Sequence, residues 1–248
     1  MSEQPTFVLI HGAWAASWVW NSLRAVLEDQ GYAVITPDMP GNSRNPATPE
    51  QINMQGCVEQ VQACCAEVRG PLIIVGHSGG GVIATQVAQV MAERVAGVAF
   101  IAGMMLPSGL GFAELAAEAQ KQHPEAAGIW PHLQWSADRQ SSTVPPQAVC
   151  DVFLQDLPHE QAMAAAQLFC AQPEGTRALV AEWSPERFGR LPRLYIEATQ
   201  DRSVILPVQR RMQALVPGAE VVSLETGHVP QVTATTEVAE ALLGFARR

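Results

Sequence analysis

Ser78 stands between Gly76 and Gly80 in the segment LIIVGHSGGGVI, residues 72–83, with an apolar run before it and a helix-compatible run after it. A serine carried on a sharp strand-to-helix turn needs a strained backbone and neighbours without side chains, and glycine supplies such neighbours. On that turn its hydroxyl points away from the sheet edge into a cleft. A helix expected to begin near Gly79 adds free backbone N–H groups and a positive dipole end, so an anion forming beside Ser78 meets donors already in place. A five-residue pattern also arises by chance in a glycine-rich chain, and a serine alcohol is a poor nucleophile at neutral pH. Acyl transfer therefore needs a histidine to take the proton and an acid to orient that histidine.

The chain has six histidines, at 11, 77, 123, 132, 159 and 228. His228 is the best base, because LETGHVP directly follows the last predicted strand, where a loop can return to the serine. The acid candidate is Asp201 in YIEATQDRSV, just past the strand expected to end near Ala198. Ser78, Asp201 and His228 then follow in the order nucleophile, acid, base. Asp38 is the rival carboxylate, but it precedes the nucleophile in a turn-like PDMPGNS. Asp138, Asp151 and Asp156 are expected on a solvated face. Near the N-terminus, FVLIHGAW sets His11 and Gly12 just past the first strand. Gly12 allows a turn that aims the Ala13 N–H at the same point as the Gly79 N–H, forming an oxyanion hole worth roughly 3 to 4 kcal/mol per donor. His11 is expected to pin that loop by hydrogen bonds, with a role as a second base the competing reading.

Positioning these residues requires a particular set of elements. Short apolar runs recur at 7–10, 32–36, 72–75, 95–103, 193–199 and 219–224, near-continuous rather than alternating, as in strands buried on both faces of a parallel sheet. Between them the pattern predicts helices over roughly 17–30, 50–69, 80–93, 204–215 and 231–246. This is the alternation of an α/β fold, a mostly parallel doubly wound sheet. It breaks between about 107 and 190, where prolines at 124, 131, 145, 146, 158 and 173 punctuate Ala-rich helical pieces. That stretch is expected to be a mostly helical cap over the strand ends, and the core to comprise 1–106 and 191–248. Candidate substrate contacts are Trp14, Leu106, Trp130 and Phe153, with Phe112, Trp135, Phe169 and Trp183 behind them. For each, packing in core or cap is the competing role.

At 248 residues and 48% hydrophobic content the chain is long enough for one large domain with a substantial core. The net charge is −9 and the 15 Lys and Arg residues are scattered, which argues against nucleic acid or an anionic membrane as partner. The expected partner is a small-molecule substrate, with a homodimer left open. No stretch approaches the ~20 apolar residues that span a bilayer, and the first residues lack the pattern of a signal peptide. Five cysteines, at 57, 64, 65, 150 and 170, have no metal-ligand spacing and read as reduced thiols packing in a cytoplasmic protein. No cofactor and no metal are expected. The apolar cap carries few cations, which favours a neutral substrate over a phosphate-bearing one.

Taken together, FVLIHGAW followed by SWVW, the GHSGG turn, the T-x-D segment at 199–201 and the late G-H make the chain resemble the α/β-hydrolase superfamily. The resemblance is to the group of plant methylesterases, hydroxynitrile lyases and small bacterial esterases, and it covers nearly the whole length. It implies a Ser78, Asp201, His228 triad, Ala13 and Gly79 as oxyanion donors, a cap, and no cofactor. The lyases of this group carry a threonine where Gly12 stands and a lysine where Val229 stands, so the chain departs from them at both positions. It also has Gly79 where methionine, phenylalanine or cysteine is usual, leaving room beside the nucleophile. A carboxylesterase acting on small to medium apolar esters is the resulting expectation. Lactonase, amidase, perhydrolase and C–C hydrolase chemistry share the triad, and a non-catalytic small-molecule receptor is the reading from another class.

Overall fold

The structure, a computed structural model, describes residues 4–42 and 44–248. Six strands form the main sheet: β1 (Thr6–Ile10), β2 (Val34–Ile35), β3 (Leu72–His77), β4 (Val95–Ile101), β8 (Arg193–Ala198) and β9 (Ala219–Leu224). They lie in the order β2-β1-β3-β4-β8-β9 with every pairing parallel. The near-continuous apolar runs have their cause in two cores, one on each face. From β1, Phe7 and Leu9 point into one core with Ile73, Val75, Ala99 and Ile101, while Val8 and Ile10 point into the other with Leu72, Ile74, Val98 and Phe100. Nearly every residue of such a strand is inside, Ala96 of β4 being exposed, so no polar position is needed to mark a solvent face.

Helices α1 (Asn21–Asp29) and α9 (Thr235–Ala246) contribute Leu23, Leu27, Val238 and Leu242 to the first core. Helices α2 (Met54–Cys64) and α3 (Gly80–Val90) contribute Val58, Val61, Ile83 and Val87 to the second. Two expectations change at the sheet edges. The strand expected over 32–36 shrinks to Val34–Ile35, because Pro37 has no N–H to carry the ladder on. The outer strand β9 is half-exposed rather than buried on both faces, with Val221 on the surface. Helices α7 (Leu206–Leu215) and α8 (Pro230–Thr233) complete the core, and Cys57 and Cys65 pack inside it while Cys64 is exposed.

The segment 107–190 holds α4 (Phe112–Gln120), α5 (Pro146–Ala148), a π-helical turn over Val149–Phe153 and α6 (His159–Ala166). It is less purely helical than its alanine bias predicts. A small antiparallel sheet joins β5 (Gln134–Trp135), β6 (Ser141–Thr143) and β7 (Gln172–Pro173). These strands are two or three residues long, too short for a period of two to register in sequence. Val149, Phe153 and Ile129 from this segment pack with Trp14 and Val229 of the core.

Candidate active site

Strand order reverses between β1 and β3: β2 lies outside β1 on one side, β3 and β4 continue on the other. The loops leaving these two strands diverge there and open a crevice at their carboxyl ends. Ser78 follows β3 directly, at φ 50°, a left-handed conformation that L-residues rarely adopt and that costs about 1–3 kcal/mol. The turn is held by the Ser78 amide donating to Ile101 O at 3.2 Å, and by Ser78 O accepting from Gly81 N at 3.0 Å and Met104 N at 2.9 Å. The flanking glycines answer to packing. A Cβ at Gly76 would lie 2.7 Å from Gly80 O, and one at Gly80 would lie 2.5 Å from His11 O.

His228 approaches from the loop after β9. Its Nε2 lies 3.0 Å from Ser78 Oγ, and its Nδ1 lies 2.7 Å from Asp201 Oδ2. Since a carboxylate only accepts, the proton sits on Nδ1 and Nε2 is free to accept from the serine hydroxyl. Asp201 uses its other oxygen on its own turn, Oδ1 accepting from Ser203 N at 2.7 Å and Val204 N at 2.9 Å. Behind it lies Gln209 of α7, fully buried, which braces the turn: Nε2 donates to Ala198 O at 2.9 Å and Val204 O at 2.7 Å, and Oε1 accepts from Ala198 N at 3.1 Å. Ser78, Asp201 and His228 are all buried.

The remaining histidines near the site are structural in their contacts. His77 donates Nε2–H to the backbone carbonyl of His228 at 2.8 Å, and burial, with the nearby His228, lowers its pKa to about 3. Burial also lowers that of His11, whose Nδ1–H donates to Gly12 O at 2.8 Å while Nε2 accepts from Met39 N at 3.1 Å. This is the loop-pinning role its position suggests. The Asp38 carboxylate takes Ser17 N at 2.6 Å and Ser17 Oγ at 3.1 Å, so it organises the turn before α1 and is bonded to neither His228 nor Ser78.

A cavity of about 270 Å³ opens beside Ser78 and His228. Ala13 and Gly79 border it, and neither amide donates a hydrogen bond to an acceptor among the described residues. Trp14, Trp130 and Phe153 line it as the sequence suggests, with Phe112 and Phe169. Leu106 does not. It is buried behind the wall among Val82, Leu115, Val204 and Val208, and Trp183, also outside the cavity wall, donates its indole N–H to Leu106 O at 2.9 Å. Phe153 stacks on the His228 ring at 5.0 Å between centroids. The wall also includes Arg177, which composition alone did not reveal in an apolar cap. Its guanidinium lies 4.1 Å over the Trp130 ring and is paired with Glu174, so the positive charge is matched locally.

Two contacts from the 107–190 segment hold the loops of the candidate site from outside. Asp156, expected on a solvated face, is half-buried and its Oδ2 accepts from Gly227 N at 2.7 Å, beside His228. Trp14 is strapped to the small sheet: its amide donates to Gln172 Oε1 at 3.1 Å and its indole N–H to Ser142 Oγ at 3.1 Å, while Trp14 O accepts from Cys170 N at 2.8 Å. These partners lie 128 to 158 positions away along the chain, where no local motif could announce them.

The sequence profile described as "Alpha/beta hydrolase family" matches residues 7–241. The chain belongs to the alpha/beta hydrolase family. It is similar to a pyrethroid hydrolase of Sphingobium wenxiniae, 29% identical over 96% of this chain and 86% of that one. Methylesterase 7 of Arabidopsis thaliana is 24% identical over 99% of this chain and 97% of its own length. Among solved structures, a pyrethroid hydrolase from Sphingobium faniae superposes on this hydrolase with a TM-score of 0.85 at 26% identity, covering 98% of this chain and 97% of that one. Among the described residues no helix of the hydrolase is long and apolar enough to cross a membrane.

Proposed function

We propose that this hydrolase is a carboxylesterase that cleaves small to medium apolar esters through an acyl-enzyme on Ser78. The observation that carries the reading is the continuous chain from Asp201 through His228 to Ser78, at 2.7 and 3.0 Å, opening onto an apolar cavity bordered by two amides that have no acceptor among the described residues. Ser78 Oγ bonds to the ester carbonyl carbon while its proton passes to His228 Nε2. The carbonyl oxygen, now anionic, is held by the Ala13 and Gly79 N–H groups. As the C–O bond to the alcohol breaks, His228 returns the proton to the departing alkoxide. Water then adds to the acyl-enzyme, giving its proton to Nε2, and the acid leaves as the proton returns to Ser78 Oγ. Asp201 keeps the Nδ1 proton in place and stabilises the imidazolium.

The 107–190 segment serves as the cap that shapes the cavity, and the Arg177–Glu174 pair lets it remain suited to neutral substrates. The relatives named for ester cleavage support the reaction class, and five cysteines without a disulfide support a reducing, cytoplasmic setting. The test uses p-nitrophenyl butyrate and fluorophosphonate labelling. The intact protein turns the ester over and is labelled at Ser78, and Ser78→Ala loses both. Turnover that survives in Ser78→Ala, or an intact protein inert on ester, thioester, lactone and amide panels, would overturn the reading and favour a receptor.

A further inference from the structure

We infer that Gly79 sets the acyl preference of this site: its missing side chain leaves room beside Ser78 for esters branched at the carbon next to the carbonyl. The inference rests on the esterase reading above.

Five glycines surround the nucleophile, and four are dictated by packing. An added Cβ would come within 2.9 Å of Ser78 Cβ at Gly12, 2.7 Å of Gly80 O at Gly76, 2.5 Å of Ile10 O at Gly80 and 2.7 Å of Met104 N at Gly81. Gly79 differs. The nearest atom to a Cβ there is Ala13 N, at 4.0 Å, and its backbone is ordinary right-handed helix, φ −57° and ψ −25°. Neither sterics nor backbone conformation therefore requires glycine at 79.

The empty position is also placed where an acyl group must pass. A carbonyl oxygen held by the Ala13 and Gly79 amides puts the acyl α-carbon only two bonds away, against the same wall. Val82, one helical turn along α3, and Met104 continue that wall, and all of these residues line the cavity. A side chain at 79 would project towards the Ala13 amide and occupy the volume that α-substituents need. A linear acyl group can turn away from it, whereas a quaternary α-carbon cannot.

The experiment compares p-nitrophenyl acetate with p-nitrophenyl 2,2-dimethylpropanoate, which share a leaving group, on the intact enzyme, Gly79→Ala and Gly79→Val. The ratio of kcat/KM for the branched over the linear ester should fall about 10- to 200-fold in Gly79→Val, the range one or a few misplaced carbons command in a pocket, and by less in Gly79→Ala. A ratio that stays within twofold of the intact enzyme in both variants, including the case where both esters slow together, would overturn the inference. Labelling of Ser78 by methanesulfonyl fluoride and by 2-methylpropane-2-sulfonyl fluoride, followed by mass spectrometry, reads the same wall without turnover. If the intact protein hydrolyses neither of these esters nor any member of the ester, thioester, lactone and amide panels, the esterase reading fails, and the ratio of the two labelling rates across the three proteins still decides the role of Gly79.

Discussion

Asp201 divides its two oxygens between structure and chemistry, one fixing the turn through Ser203 and Val204, the other holding His228. Asp201→Asn keeps the shape and the turn contact but offers His228 Nδ1 a weaker or wrongly polarised partner. The expected result is a loss of about 10⁴ in kcat, as for the equivalent change in a serine protease triad, with the thermal midpoint little altered; stopped-flow or steady-state ester hydrolysis beside calorimetry checks it. The three members of this chain were legible in the sequence because each sits just past a strand and the order along the chain is diagnostic. The wall of the cavity was legible only in part: Trp14, Trp130 and Phe153 line it as expected. Leu106 lies outside the wall and Arg177 within it, since which side of a helix or loop meets the cavity depends on how residues 107–190 fold back, and one residue of apolar or basic type gives no sign of it.

Among elements, α7 has a task that its amphipathic pattern conceals. Gln209 is the one polar side chain of that helix turned fully inward, and it satisfies both backbone groups of Ala198 and the carbonyl of Val204. Gln209→Leu leaves those buried groups unpaired, each costing about 1–3 kcal/mol, so urea denaturation should show a loss of at least a few kcal/mol. Because the braced turn carries Asp201, kcat should fall in the fraction that stays folded, more than KM changes. The main strands and helices were readable because two cores bury both faces of most of the sheet and produce unbroken apolar runs. The sheet of β5, β6 and β7 was not, because strands such as QW, SST and QP are too short to show alternation and draw their order from neighbours far along the chain.

For the molecule as a whole, acid is the condition to which the buried histidines make it sensitive. His77 has its pKa lowered from 6.5 to about 3. Between those values the unfolded chain binds a proton that the folded chain refuses, so stability is fully present above pH 6.5 and is lost as pH falls towards 3. The two values bound the contribution at about 5 kcal/mol, and His11 adds in the same direction. Denaturation midpoints measured at pH 7.5, 5.5 and 4 should decline in that order, and His77→Gln should flatten the decline; a profile unchanged by that substitution would sink the assignment. The strap from Trp14 to Ser142 and Gln172 bears on how such hydrolases can be recombined. Its two ends lie in what look like separable modules, a core and an exchangeable cap, yet they share one support. A chimera that imports another protein's 107–190 segment brings new pocket walls and also removes the fastening of the loop that carries Ala13. Cap exchange would thus alter the catalytic step together with substrate choice, unless residues 142 and 172 travel back with their tryptophan.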